Sequence, residues 1–207
     1  MHEMPTMPGK LINFKTQPSK TFALTGIFAA LFALGNFIAI PGVTSHEHVV
    51  TFVCATLFGP YVAVISSVIG EIIVAPFSKL FWLPSTLIGD ILTALIVGYG
   101  RNFAFYLQKR HEMQPVKARR IAESTFFIIA VCGRYITYLT IDAALISAGL
   151  DIGNTLLGFF LFVFLPAWVY KIAWTPLCVL IVDQMRRYLN VVYYDKPDLV
   201  DAFKNRG

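Results

Sequence analysis

The stretch LFGPYVAVISSVIGEIIVAPFSKLFWLPSTLIGDILTALIVGYG, residues Leu57 to Gly100, holds two apolar runs of membrane-spanning length with an acid inside each. A Gly59-Pro60 turn opens the first run, which carries Ser66, Ser67, Gly70 and Glu71. Pro84 opens the second, which carries Gly89, Asp90, Gly98 and Gly100. Gly-Pro is a turn signal, and small residues let helix backbones approach closely in lipid. Glu71 and Asp90 are costly in hydrocarbon, so they mark a cavity, an ion-pair partner or a transport pathway.

The rest of the chain agrees with a membrane reading. With 57% hydrophobic and 14% charged residues and a mean hydropathy of +0.66, it is far more apolar than a soluble domain, and it reads as one integral membrane domain. The net charge of +5 does not point to nucleic acid. Lys and Arg lie between apolar runs rather than along one face, which is the pattern of membrane topology. Cys54, Cys132 and Cys178 each sit in an apolar run with no CxxC spacing, so they read as packing residues.

Outward from the central stretch, residues 1–20 form a polar segment with Lys10, Lys15 and Lys20, and Thr21 to Ile40 is an uncharged run long enough to cross a bilayer. Tyr61 to Phe77, Ser85 to about Leu107, Ala122 to Ser147 and Thr155 to Val182 are further crossings. Only Val49 to Phe58 is solidly apolar between the first two, and ten residues do not span. Charge bias decides the matter. If Val43 to Phe58 crosses, all Lys and Arg except Lys79, Arg134 and Lys171 fall on the cytoplasmic side. The expected fold is therefore an all-α bundle of six transmembrane helices spanning 21–190. Both termini are then cytoplasmic, with residues 191–207 as a tail, in a multi-pass protein of the plasma membrane.

This topology sorts the buried polar residues by depth. Glu71 lies in the outer half of its helix and Asp90 near the outer end of the next. Arg134 lies near mid-membrane, with Asp142 about two turns further out on roughly the same face. Asn36, His46 and Asn154 are outer or external, Tyr138 adjoins Arg134, and Trp82 sits in the external loop as a lid or an interfacial belt. Together they describe an outward-facing pocket for a small molecule. Arg134 would pair a carboxylate or phosphate, while Glu71, Asp90 and Asp142 would accept from N–H or O–H groups. Three acids against one base favour a neutral or cationic ligand. The plainer alternative is that Arg134 with Asp142, Asp90 or Glu71 only locks helices together. Lys171, flanked by Trp168 and Trp174, snorkels or ion-pairs. No metal site is expected: His46 and His48, two residues apart, reach one metal only in extended geometry, with no third histidine nearby.

The first helix carries Ala29-Ala30-Leu31-Phe32-Ala33 in a stripe of small residues that begins at Gly26. Six spans, this AxxxA, the Phe58-Gly59-Pro60 turn before a Ser- and Gly-rich helix with an acid, and the Pro84 to Asp90 helix start together resemble S components. These are the substrate-binding subunits of energy-coupling factor (ECF) transporters. The resemblance covers residues 21–190. It implies docking of Gly26, Ala29, Ala30 and Ala33 on a separate transmembrane coupling subunit, and a vitamin or other micronutrient in the outer pocket under the loops Gly42 to His48 and Pro76 to Pro84. It also implies ATP hydrolysis by separate subunits, no cofactor of the chain's own and no enzymatic activity. The absence of a GxxxxGK[ST] phosphate loop agrees with that division of labour. Signatures of the riboflavin, thiamine and biotin members are not recognisable, which leaves the ligand open. Met1-His2 matches the metal-binding start of nickel and cobalt members, but the polar segment and charge pattern that follow argue against metal uptake. The rival reading is a self-sufficient proton-coupled transporter using Glu71 or Asp90. Neither a membrane enzyme nor a purely structural protein has a motif to support it.

Overall fold

A computed structural model describes residues 18–40, 44–78, 83–149 and 165–189, with isolated helical positions at Gly158 and Leu161. The described residues form a helical bundle. Its elements are α1 (Pro18–Phe37), β1 (Ala39–Ile40), β2 (Thr44–Ser45), α2 (Glu47–Phe58), α3 (Pro60–Ser78), α4 (Leu83–His111), α5 (Pro115–Ser147), α6 (Leu165–Ala173) and α7 (Thr175–Leu189). Five segments are long and apolar enough to cross a membrane: Pro18–Phe37, Pro60–Phe77, Leu83–His111, Pro115–Ser147 and Leu165–Arg186. The protein is thus a multi-pass helical membrane protein.

The short second helix differs from the expected Val43 to Phe58. It starts at Glu47, after a two-residue antiparallel pairing of Ala39 with Ser45 and Ile40 with Thr44, and it has 12 residues. It packs against α1, α3, α4 and α7, and every residue from Thr51 to Phe58 is buried. A helix apolar all round is at home in such a core position. Phe52 packs against Phe127 of α5 with ring centroids 4.4 Å apart and planes tilted by 56°.

Turn chemistry sets the helix boundaries. Gly59 adopts φ +95°, closed to most side chains, and donates its N–H to Ala55 O at 3.1 Å. Pro60 then starts α3, where its missing N–H costs nothing. The turn is gripped by α4, because a Cβ on Gly98 would lie 2.6 to 2.7 Å from the Pro60 ring and nitrogen. At the far end of α4, Lys109, Arg110 and His111 occupy the last turn, favourable against the helix dipole. Glu112, at φ +47°, turns the chain toward Pro115. The final span breaks at Trp174, and Pro176 cannot donate to the ladder there.

Hydroxyls inside the bundle satisfy backbone rather than solvent, as lipid demands. Thr25, Thr51, Thr56 and Thr93 each donate to the carbonyl four residues back, and Ser66 reaches from α3 to Thr25 O on α1 at 3.1 Å. Outward-facing positions on α1 are apolar: Phe22, Ile27, Leu31, Leu34 and Phe37 are exposed. These form a lipid-facing surface.

Candidate functional site

The site lies at the end of the bundle opposite the α4–α5 turn, where α2 and α4 begin and α3 and α5 end. Arg134 of α5 is its hub. The guanidinium donates Nη1–H to Asp90 Oδ1 on α4, Nη2–H to Glu47 Oε1 on α2 at 2.7 Å, and Nε–H to the Tyr138 hydroxyl at 2.8 Å. Its five fixed donors allow it to join three elements at once. Lys171 of α6 reaches the same Glu47 oxygen at 3.5 Å, and its ammonium lies 5.8 Å from the Tyr135 ring centroid. Arg134, Asp90, Glu47 and Lys171 are each no more than 2% exposed. Charges so deeply buried persist only when paired, and together they bind α2, α4, α5 and α6 to one another.

Local sequence explains the close approach. A Cβ at Gly89 would sit 2.8 Å from Arg134 Cγ, so only glycine leaves the arginine its place beside α4. Gly35 serves α1 in the same way: its carbonyl accepts the His46 N–H at 2.8 Å, and a Cβ would come within 3.1 Å of the Glu47 backbone.

Asp90 also lies against Glu71 of α3, carboxyl to carboxyl. Glu71 Oε2 accepts from Thr86 at 3.3 Å, and Thr51 and Ser67 hydroxyls meet at 3.2 Å nearby in sequence on α2 and α3. Asp142, one layer nearer the end of α5, is hydrogen-bonded to Ser85. Three carboxylate oxygens, Glu71 Oε1, Asp90 Oδ2 and Asp142 Oδ1, are buried with no hydrogen-bond partner among the described residues. A buried acceptor without a donor costs about 1 to 3 kcal/mol, so these oxygens are ready to receive one.

Of the residues singled out from sequence, Glu71, Asp90, Arg134 and Tyr138 converge, with Asp142 adjoining through Ser85. His46 is a fastener at the edge: its ring meets Ile38 O at 2.7 Å and the Tyr170 hydroxyl at 2.9 Å, and packs edge-on to Trp174. Asn36 is buried at the end of α1 and donates to Phe32 O at 3.3 Å. Trp82 and Asn154 lie outside the described residues. On α1 the small residues divide. Ala29 and Ala33 are buried in the bundle and Ala30 is exposed, while Gly26 is open, with nothing within 4 Å of where its Cβ would stand. The AxxxA pair is thus part of this chain's own packing, because α1 lies against α3, where Gly70 abuts Phe32. Sequence reasoning left Glu47 and Lys171 out of the pocket. The available signal was charge balance: two bases inside the spans need acids at their depth, and Glu47 stands at a helix start, where an acid is favoured. Among the described residues no group of three or more His, Cys, Asp or Glu side chains is arranged to hold a metal.

The profile of the family described as ECF-type riboflavin transporter, S component, matches residues 17–155. The chain belongs to this family. The S-component resemblance read from the Gly-Pro turn, the acids and the α1 stripe is thereby borne out. The chain is a membrane subunit of a transporter, in a family of substrate-binding proteins rather than enzymes. The matched region contains Glu47, Glu71, Asp90, Arg134 and Asp142. Lys171 lies beyond it. No curated protein and no solved structure matches the chain significantly.

Proposed function

We propose that this S component captures riboflavin, or a flavin very like it, at the plasma membrane and delivers it through an ATP-driven ECF importer. The family match over residues 17–155 carries the proposal, and the chemistry of the site supports it. Riboflavin is uncharged, with a ring imide N–H and a chain of hydroxyls. Glu71 Oε1, Asp90 Oδ2 and Asp142 Oδ1 are buried acceptors without donors among the described residues, and ligand N–H and O–H groups would satisfy them. Glu47, Glu71 and Asp90 face Arg134 and Lys171 across the network, an excess of carboxylates that disfavours an anionic ligand. Aromatic walls such as Tyr135 and Tyr138 would supply most of the affinity, with the polar groups setting orientation.

Import then needs partners. The open face of α1, with Gly26 and Ala30 beside exposed Leu34, would seat the coupling subunit, small residues permitting close helix contact. ATPase subunits would drive release of the ligand to the cytoplasm, where both termini lie in the six-span arrangement.

The test is fluorescence titration of riboflavin with the chain purified alone in mild detergent, followed by vesicle uptake with and without the coupling and ATPase subunits. Quenching with tight binding, and uptake that requires the ATPase, is the expected outcome. No flavin binding would overturn the ligand. Uptake by the chain alone driven by a proton gradient would overturn the division of labour.

A further inference from the structure

Glu71 of α3 and Asp90 of α4 meet carboxyl to carboxyl, and both are fully buried. The packing of the two helices holds them there. Thr86, one turn before Asp90 on the same face of α4, donates its hydroxyl to Glu71 Oε2 at 3.3 Å. Asp90 Oδ1 is taken by Arg134. The two oxygens left over, Glu71 Oε1 and Asp90 Oδ2, are buried without a donor among the described residues.

The charged groups around the pair do not supply that donor. Arg134 of α5 spends its guanidinium on Asp90 Oδ1, Glu47 and the Tyr138 hydroxyl, and Lys171 of α6 reaches Glu47 of α2. His48 of α2 stacks on Phe127 of α5 with ring centroids 6.3 Å apart, Asp142 is hydrogen-bonded to Ser85, and from α1 it is Phe32 that meets α3, at Gly70. Two ionised carboxylates in contact repel, and a dry site does little to screen them. A single proton turns the same contact into a hydrogen bond.

We infer that Glu71 and Asp90 share one proton before a ligand binds, and that a ligand N–H takes its place, so that each flavin captured releases one proton to the medium. This rests on the flavin reading above. The carboxyl O–H bond breaks, its electron pair stays on the carboxylate, and the proton passes to water. The ligand keeps its own hydrogen and donates it to the vacated oxygens, so nothing is oxidised or reduced. Proton and flavin then compete for the same two oxygens. A ligand that offers only acceptors has nothing to exchange for the proton, so the pair selects for donors. Where the pair holds its proton, affinity should rise about tenfold for each unit of pH, the slope of one linked proton, and level off once the proton is lost.

The test combines two measurements on the full chain in a carbonyl-free detergent at neutral pH. Infrared difference spectra of ligand-free wild type and Glu71→Gln report the protonated carboxyl, which should be present in the first and missing from the second. Calorimetric titration of riboflavin in two buffers of different ionisation heat counts protons, and should give about one released per flavin in the wild type. Glu71→Gln gives Asp90 a permanent amide donor, so it should bind flavin more weakly and release none. Asp142→Asn, which changes an acid outside the pair, should still release the proton. A wild type without the carboxyl band would overturn the shared proton, and flavin binding with no buffer dependence would overturn the exchange. Release that persists in Glu71→Gln and vanishes in Asp142→Asn would move the proton to Asp142 and overturn the assignment. Absence of flavin binding with the band present would overturn the flavin reading, and the exchange with it, while establishing the shared proton. The two-buffer titration of the wild type decides the exchange by itself if Glu71→Gln fails to fold.

Discussion

Replacing Arg134 by Gln removes the group on which the buried network converges. Asp90, fully buried, loses the Nη1 donor, Tyr138 loses the Nε–H donor, and Glu47 loses the Nη2 donor. Breaking a buried pair by deleting one partner costs about 3 to 5 kcal/mol. At about 2 to 4 °C per kcal/mol for a chain of this size, the melting temperature in detergent should fall by about 6 to 20 °C. The sharper measurement adds Asp90→Asn to Arg134→Gln. With the uncompensated carboxylate gone, the double variant should be more stable than the sum of the single losses by about 1 to 3 kcal/mol, the coupling expected of residues in direct contact. Thermal unfolding of the four proteins, followed by intrinsic fluorescence in one detergent, completes the cycle. A cycle additive within about 0.5 kcal/mol, or an Arg134→Gln protein that melts with the wild type, would refute the argument that these charges are mutually dependent.

Other substitutions probe single contacts. Gly98→Ala drives a methyl into Pro60 at under 3 Å and should cost about 1 to 3 kcal/mol as overpacking, read as a lower melting temperature; an unshifted melt would mean that α4 does not grip the α2–α3 turn. Gly26→Leu with Ala30→Leu should leave stability and flavin binding intact while stopping ATP-driven uptake, whereas Ala29→Leu, placed in the bundle interior, should destabilise the isolated chain. Full uptake by the Gly26/Ala30 double variant would remove α1 from coupling. Asp142→Leu should weaken flavin binding about tenfold, one hydrogen bond to a charged acceptor, and unchanged affinity would take Asp142 out of the pocket. Tyr170→Phe, which removes the 2.9 Å contact to His46, should cost about 1 kcal/mol by the same thermal assay.

What was legible in the sequence follows from which signals lipid enforces. A bilayer permits only internally satisfied backbone, so apolar run lengths reported α1, α3 and α4 to within a few residues, whereas α5 starts at Pro115 and not at the expected Ala122, its first turns carrying Lys117, Arg119 and Arg120. The second helix was harder to read because its burial comes from four neighbouring helices and not from lipid. Its start was therefore placed at Val43, and Glu47 and His48, which the resemblance assigned to a capping loop, in fact begin a helix inside the protein. Convergence of Glu71, Asp90 and Arg134 was visible as shared depth, but shared depth does not give rotation. The same limitation explains the α1 stripe. An AxxxA pattern says that one face permits close contact, and Gly70 meeting Phe32 is what turns Ala29 and Ala33 inward while Gly26 and Ala30 face out.

The charges around Arg134 do not balance. At one end of the bundle Glu47, Glu71 and Asp90 outnumber Arg134 and Lys171. A surplus carboxylate oxygen in a dry site asks for a hydrogen-bond donor, which an uncharged flavin has and its phosphate ester would bring only together with two repelling charges. The imbalance is held in place by packing, since Gly89 fixes the approach of Arg134. The sign of the surplus therefore predicts the charge of what this end accepts, and reversing it with Asp142→Lys should abolish flavin binding.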